Sequence, residues 1–124
     1  MRKSAPRDLP PPLELLCLNA LWSIGQGSVR EVRRLVAPSR TLAYTTVMTV
    51  LDRLARRGIV TRHKQGRAFV YAPSVSRDAI RRLALKEFLD SYFESSPEQL
   101  LRFLQDEPPA VLPLPVNSLD PALL

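Results

Sequence analysis

Leu42-Ala43-Tyr44-Thr45-Thr46-Val47-Met48-Thr49-Val50-Leu51-Asp52-Arg53-Leu54-Ala55-Arg56-Arg57-Gly58 is the stretch that decides the fold. Val47, Val50, Leu51 and Leu54 recur at i, i+3, i+4 and i+7, the spacing that lines one side of an amphipathic helix. The opposite side carries Thr45, Thr46, Met48, Thr49, Asp52, Arg53 and Arg56. Threonine and valine are mediocre helix formers, because a branched Cβ loses rotamer freedom against the preceding turn. Packing of the apolar side must therefore hold this helix, and Gly58 ends it.

Immediately downstream the period changes from helical to alternating. Ile59-Val60-Thr61-Arg62-His63-Lys64 and Ala68-Phe69-Val70-Tyr71 read as two strands, with Gln65-Gly66-Arg67 as the hairpin turn and Pro73 closing the second. Upstream, Ser28-Val29-Arg30-Glu31 is a capping box that opens a second helix running to about Val36. Val29, Val32, Leu35 and Val36 are expected to face inward, and Arg30, Arg33 and Arg34 outward. Before it, a first helix begins near Leu13. Leu13, Cys17, Ala20, Leu21 and Ile24 form one stripe and Leu15, Leu18 and Trp22 a second, so this helix belongs to the core. Gly25-Gln26-Gly27 stops it.

Three helices followed by a hairpin is the order of a winged helix-turn-helix domain, a mainly α fold with a two-stranded wing. In that arrangement the third helix lies in the major groove of DNA. Threonine methyls can touch thymine methyls there, and threonine hydroxyls can bond bases or phosphates. Lys64 and Arg67 of the hairpin would meet the sugar-phosphate backbone or the minor groove beside it. The amides at the start of the second helix, at Ser28, could hold a phosphate. With Arg40, Tyr44, Thr45, Thr46, Met48, Thr49 and Arg53, these residues make up the candidate DNA-binding set.

The charge pattern agrees. The chain has 124 residues, 18 Lys+Arg against 12 Asp+Glu, a formal charge of +6 and a sequence pI near 10.2. The excess is local: residues 28–82 hold thirteen basic and three acidic side chains, a net +10, whereas residues 83–124 hold two and seven, a net −5. A basic middle and an acidic end suggest two jobs in one chain. The length suits one domain with a small appendage. No stretch is apolar for the length a bilayer crossing needs, and no apolar signal core follows the basic start before Pro10-Pro11-Pro12, so the chain is expected to stay in the cytoplasm. A single cysteine, Cys17, with one histidine, His63, offers neither a disulfide nor a structural zinc site. No nucleophile-and-base set, phosphate-binding glycine loop or paired carboxylates appears, so neither an enzyme nor a cofactor is expected.

Residues 1–12, with four prolines and four charges, are expected to be a disordered arm, and residues 13–75 the winged-helix domain. A helical region then covers 76–106. Ser76 caps a long helix that runs to about Ser95. Ile80, Leu83, Ala84, Phe88 and Tyr92 form one stripe, and Leu85, Leu89 and Phe93 widen it beyond what one small domain can cover. Ser96-Pro97-Glu98-Gln99 starts another helix, with proline at its first position and a capping-box glutamine, followed by Leu100, Leu101, Phe103 and Leu104. The surplus apolar surface predicts a homodimer. Residues 107–124 form a proline-rich tail without a derived role.

Ala43 to Leu54, followed by Arg57-Gly58, by Gly66-Arg67-Ala68-Phe69-Val70-Tyr71-Ala72-Pro73 and by Ser76-Arg77, resembles the penicillinase-repressor family, which includes methicillin-resistance and copper-operon repressors. Leu21-Trp22 and Ser28 to Val32 match as well, and the resemblance covers roughly Leu13 to Leu104. It implies a transcriptional repressor that binds a palindromic, double-stranded operator through the winged helix and dimerises through C-terminal helices. It also implies base contacts from Tyr44, Thr45, Thr46, Met48 and Thr49. In the penicillin-responsive branch a membrane metalloprotease sensor triggers cleavage in the dimerisation region. The matching bond here is Arg102-Phe103, with arginine where that branch has asparagine. Where the family adds one more charged helix, this chain has Pro108-Pro109 and its tail.

Several residues have a second reading. Tyr44 either meets DNA or staples the helix start to the core. Met48 either touches a base or fills surface. Asp52 is expected to pair with a neighbouring arginine, Arg56 being four residues on, because an acid in the groove repels phosphate. Cys17 is expected in the core, Arg81-Arg82 in solvent, and His63 in solvent or against a phosphate rather than on a metal. The competing function is a winged-helix protein-interaction module with only non-specific DNA affinity.

Overall fold

The computed structural model describes residues 9–106. The expected tail and most of the expected arm lie outside them. The elements are α1 (Pro12–Ile24), α2 (Val29–Val36), α3 (Tyr44–Arg56), β1 (Val60–Gln65), β2 (Ala68–Pro73), α4 (Arg77–Tyr92) and α5 (Pro97–Gln105). Helix, helix, helix and antiparallel hairpin give the winged helix-turn-helix architecture that the sequence predicts. Contacts divide the described residues into two units, with the division between Leu85 and Lys86, inside α4. The sequence places that boundary earlier, at 75–76.

In the first unit α1, α2 and α3 close around Cys17, Leu18, Leu21, Val32, Val36, Val47, Leu51 and Leu54, joined by Ile59, Val60, Tyr71 and Ile80. The α3 stripe is buried as its spacing predicts. Its C-terminus is a Schellman motif: Ile59 N–H donates to Leu54 O at 3.0 Å and Gly58 N–H to Ala55 O at 3.0 Å. Gly58 takes φ +77 there, a left-handed conformation that disfavours any residue with a Cβ. Leu54 and Ile59 are both buried, so the same motif hands the chain from helix to wing through an apolar contact position. The capping box of α2 is complete, with Ser28 N–H donating to Glu31 Oε1 and Glu31 N–H to Ser28 Oγ.

The wing pairs Val60 with Pro73, Arg62 with Tyr71, Lys64 with Phe69 and Gln65 with Ala68. Its loop is therefore only Gly66-Arg67, one residue shorter than the sequence suggests. Gly27 adds an unforeseen bridge to the wing: its N–H donates to Tyr71 O at 2.9 Å, and Tyr71 N–H donates to Gly27 O at 2.8 Å. A Cβ at Gly27 would stand 2.7 Å from Ile24 Cδ1, the mobile end of an exposed side chain that would have to turn aside. Trp22 Nε1 donates to Val75 O at 3.0 Å and Arg77 lies over its ring, which fixes the start of α4.

Some expectations are corrected. The helix α1 begins at Pro12, since proline at the first position gives up only an amide without a helical partner. Pro10 is buried and Leu9 packs on the core, so the arm does not extend to residue 12. Leu35 and Ile24 are exposed rather than inward; each lies at the edge of its stripe. The helix α4 ends at Tyr92, not Ser95, because Glu94 and Ser95 take φ of 52° and 62°. Ser96 caps α5 through Gln99 N–H, but the Gln99 side chain donates to Glu94 rather than back to Ser96. Ile80 belongs to the core of the first unit and Leu89 is also buried, which removes both from the surface a partner could cover.

Cys17 is fully buried, as expected. Burial, then the nearby Glu14 charge, pushes its thiol up to about 11 from an ordinary 9.0. Burial and the Asp52 carboxylate push the Tyr71 hydroxyl up to about 12 from 10.0. Between those limits the unfolded chain releases protons that the folded chain keeps, so stability falls as pH rises. The expected loss is about 3 kcal/mol for the thiol once both its limits are passed, and Tyr71 adds to it at still higher pH. Urea titrations near neutrality and above pH 11 would read it, and Cys17→Ala should remove the thiol's share. A midpoint unchanged above pH 11 would contradict it.

Candidate nucleic-acid interface

The helix α3 exposes an arc, and the candidate residues divide along it. Tyr44, Met48 and Asp52 recur every four residues on one flank. With Ser28, Arg30, Arg62, Arg67 and Phe69 they line a groove of about 430 Å³ between α3, the start of α2 and the wing. Thr45, Thr49 and Arg53 follow one position later on the other flank, where they line a shallower hollow with Leu13 and Thr46. Tyr44 is 44% exposed and Met48 37%, so Tyr44 opens onto the groove instead of stapling the helix to the core. Thr45 and Thr49 are exposed, whereas Thr46 is half-buried.

Helical geometry explains the arc. Val47, Val50, Leu51 and Leu54 occupy the buried side, and residues 44, 45, 48 and 49 fall opposite because each step turns the chain by about 100°. The N-cap position, Ala43, has no side-chain oxygen for the first turn of α3. The corresponding amides of α2 are different: the capping box already engages those of Ser28 and Glu31. Arg40 stands exposed in the connection between the two helices. Arg33, on α2, ties that connection down by donating through Nε to Leu42 O at 2.8 Å.

Strand alternation sorts the wing. Arg62, Lys64, Phe69 and Tyr71 share the face towards α3, since Arg62–Tyr71 and Lys64–Phe69 are directly paired. The Arg62 guanidinium lies 4.3 Å from the centre of the Phe69 ring, and Lys64 Nζ 5.9 Å from it. Arg67 occupies the turn, and His63 is exposed. Asp52 does pair with an arginine, but the partner is Arg62 of the wing at 3.3 Å, not Arg56 of its own helix. Tyr71 also donates its hydroxyl to Asp52 at 2.7 Å.

Sequence reasoning missed Arg30, Arg62 and Phe69 as lining residues. A signal existed for Arg62: it precedes Lys64 by two in a strand and so shares its face. None existed for Phe69, whose role depends on register. Glu14 was missed altogether. It lies in an apolar helix, 3% exposed, and accepts from Arg57 Nη1 at 2.6 Å, with Arg53 Nη1 at 3.8 Å.

In the second unit the Phe88, Tyr92, Phe93 and Phe103 rings form a connected set, with neighbouring centroids 5.4–5.5 Å apart. Phe88, Tyr92, Leu101, Phe103 and Leu104 remain exposed in the single chain, Tyr92 at 73% and Leu104 at 66%. Leu85, at the end of the first unit, is 48% exposed. No helix among the described residues is long and apolar enough to cross a membrane.

Comparison with known proteins bears on this surface. The family model described as penicillinase repressor matches residues 11–111. The transcriptional regulator BlaI of Mycobacterium tuberculosis is 44% identical over 69 residues, covering 55% of this chain and 50% of that protein; the chain thus spans about half the length of that relative. The penicillinase repressor of Bacillus licheniformis is 26% identical over 95 residues, covering 76% of this chain and 74% of its own. The solution structure of the monomeric form of Bacillus licheniformis BlaI in complex with the blaP half-operator superposes with a TM-score of 0.50. It is 28% identical and covers 63% of this chain and 93% of that one.

Proposed function

This chain belongs to the penicillinase repressor family, and from that premise we propose that it is a sequence-specific, DNA-binding transcriptional repressor acting in the cytoplasm as a homodimer on a palindromic operator. The observation that carries the reading is the exposed arc of α3, where a threonine flank and an arginine-lined groove adjoin one helix. The thread through Thr45 and Thr49 offers hydroxyls and methyls to base edges, while Arg67, Arg40 and Lys64 supply salt-dependent backbone affinity. The half-operator complex of the Bacillus licheniformis relative supports it.

The exposed side chains of α4 and α5 supply the dimer contact, and two winged helices held together would read half-sites about one helical turn apart. The bond Arg102-Phe103 lies in exposed α5. Its hydrolysis by a membrane metalloprotease sensor would detach Phe103 from the aromatic set and release the operator. Mass spectrometry of the chain from induced cells would reveal such a cut.

A gel shift comparing DNA upstream of the chain's own gene with a scrambled duplex tests the reading. Preferential retardation of the upstream duplex is expected. Equal, weak retardation of both would favour the protein-interaction module instead. Thr49→Ala should cost about 1–3 kcal/mol on the best duplex and little on random DNA. Arg67→Ala should weaken both alike and flatten the salt dependence by about one unit. An unchanged slope would take the wing out of the footprint.

A further inference from the structure

Asp52 is the one acid lining the α3–wing groove among the described residues, against Arg30, Arg62 and Arg67. Its Oδ1 accepts from two wing residues, the Tyr71 hydroxyl at 2.7 Å and Arg62 Nη1 at 3.3 Å. These two partners are a directly opposed cross-strand pair, so the wing meets the recognition helix at this carboxylate.

Neither bond explains the negative charge. Tyr71 is 1% exposed, and its hydroxyl needs an acceptor, yet an amide oxygen would serve as well. The Arg62 pair is solvent-accessible, at 43% and 29% side-chain exposure, and such pairs add little stability. What the charge does is electrostatic. It falls on Arg62, whose guanidinium lies 3.3 Å from Asp52 and over Phe69, on a surface that, on the reading above, faces a polyanion.

We infer that Asp52 is an affinity-limiting positioning residue: by neutralising Arg62 in the α3–wing groove it keeps that arginine out of the phosphate-binding set. Arg62 is a latent backbone contact. The DNA footprint works with one cation fewer than the groove contains, while base reading by Thr45 and Thr49, on the other flank of α3, is left as it is. The inference rests on the proposed DNA-binding function and concerns how strongly that surface holds any duplex.

The test is a salt titration of binding to a random-sequence duplex by the full chain. Asp52→Asn keeps an acceptor for Tyr71 and frees Arg62. It is expected to tighten binding about fivefold at low salt and to steepen the dependence of log K on log salt by about 0.9. Preference between the best selected duplex and the random one should stay as in the wild type. The double variant Asp52→Asn with Arg62→Gln should return the slope to the wild-type value, and Asp52→Glu should keep it there. A merely structural role would weaken binding without steepening the slope. If Asp52→Asn does not fold, Asp52→Leu with Tyr71→Phe removes the carboxylate and its buried donor together and reads the same slope. Salt-sensitive wild-type binding with an unaltered slope in a folded variant overturns the inference alone; no wild-type binding to any duplex overturns the DNA-binding reading with it.

Discussion

Replacing Arg57 by alanine is expected to lower stability by about 3–5 kcal/mol, the range seen when one partner of a buried pair is removed. The Glu14 carboxylate is almost completely buried. It has a short bond to Arg57 Nη1 at 2.6 Å and only a long contact with Arg53 at 3.8 Å. Truncating Arg57 leaves the carboxylate, 4% exposed as a side chain, with only the long Arg53 contact. Arg57 is also the C-cap residue of α3, where a cation favours the negative end of the helix dipole. Total stabilities of such domains are about 5–15 kcal/mol, so the melting temperature should fall by roughly 15 °C or more. The reciprocal change is milder. Glu14→Gln leaves Arg57, whose side chain is 31% exposed, able to turn to water. Thermal melts of both variants decide this. A melting temperature for Arg57→Ala within a degree or two of wild type, or a larger loss for Glu14→Gln, would show that the pair does not anchor α1 to α3.

Leu104→Asp, alone or with Leu101→Asp, should convert the protein to a monomer and reduce operator affinity by about a hundredfold or more, because a second half-site bound through a tether multiplies affinity by roughly 10²–10⁴. Leu101 and Leu104 lie one turn apart on α5, 57% and 66% exposed. An acid there would have to be buried unpaired on association, which is unfavourable by several kcal/mol, of order 1–3 for a polar group and more for a charge. In the isolated chain the same acids are solvated, so the fold and the binding of one winged helix to random DNA should not change. Sedimentation at micromolar concentration and titration of the selected duplex measure the two effects together. A wild-type monomer, or a variant that holds the duplex as tightly as the wild type, would contradict the proposed role of α4 and α5.

The two units differ in how much of them is legible in the residues alone. The α3 stripe, the Ser28 box and the turn at Gly66 are local signals: each depends on spacing within a few residues, so their elements appear within a residue or two of where the sequence places them. The helix end at Tyr92 is not of that kind. It depends on Glu94 and Ser95 entering a left-handed conformation that neither residue type announces, held by Ser95 donating to Asp90 and Gln99 donating to Glu94. Ile80 shows a different limit. Its place in an apolar stripe is correct, but a stripe does not say whether its surface is covered by the same chain or by another. Only the packing within the first unit takes Ile80 into the core.

The residues of this chain by themselves determined a three-helix domain with a wing, a basic surface on it, and the helix side that carries the threonines. All of these follow from periodicity and composition, which act over one or two turns. Tertiary structure alone decided that Asp52 meets Arg62 rather than Arg56, that Glu14 is buried against Arg57, and that the arc of α3 divides into a groove and a hollow. Those outcomes join residues 10 and 43 positions apart. Which side chains meet over such separations is set by strand register and helix packing, and no local pattern encodes either.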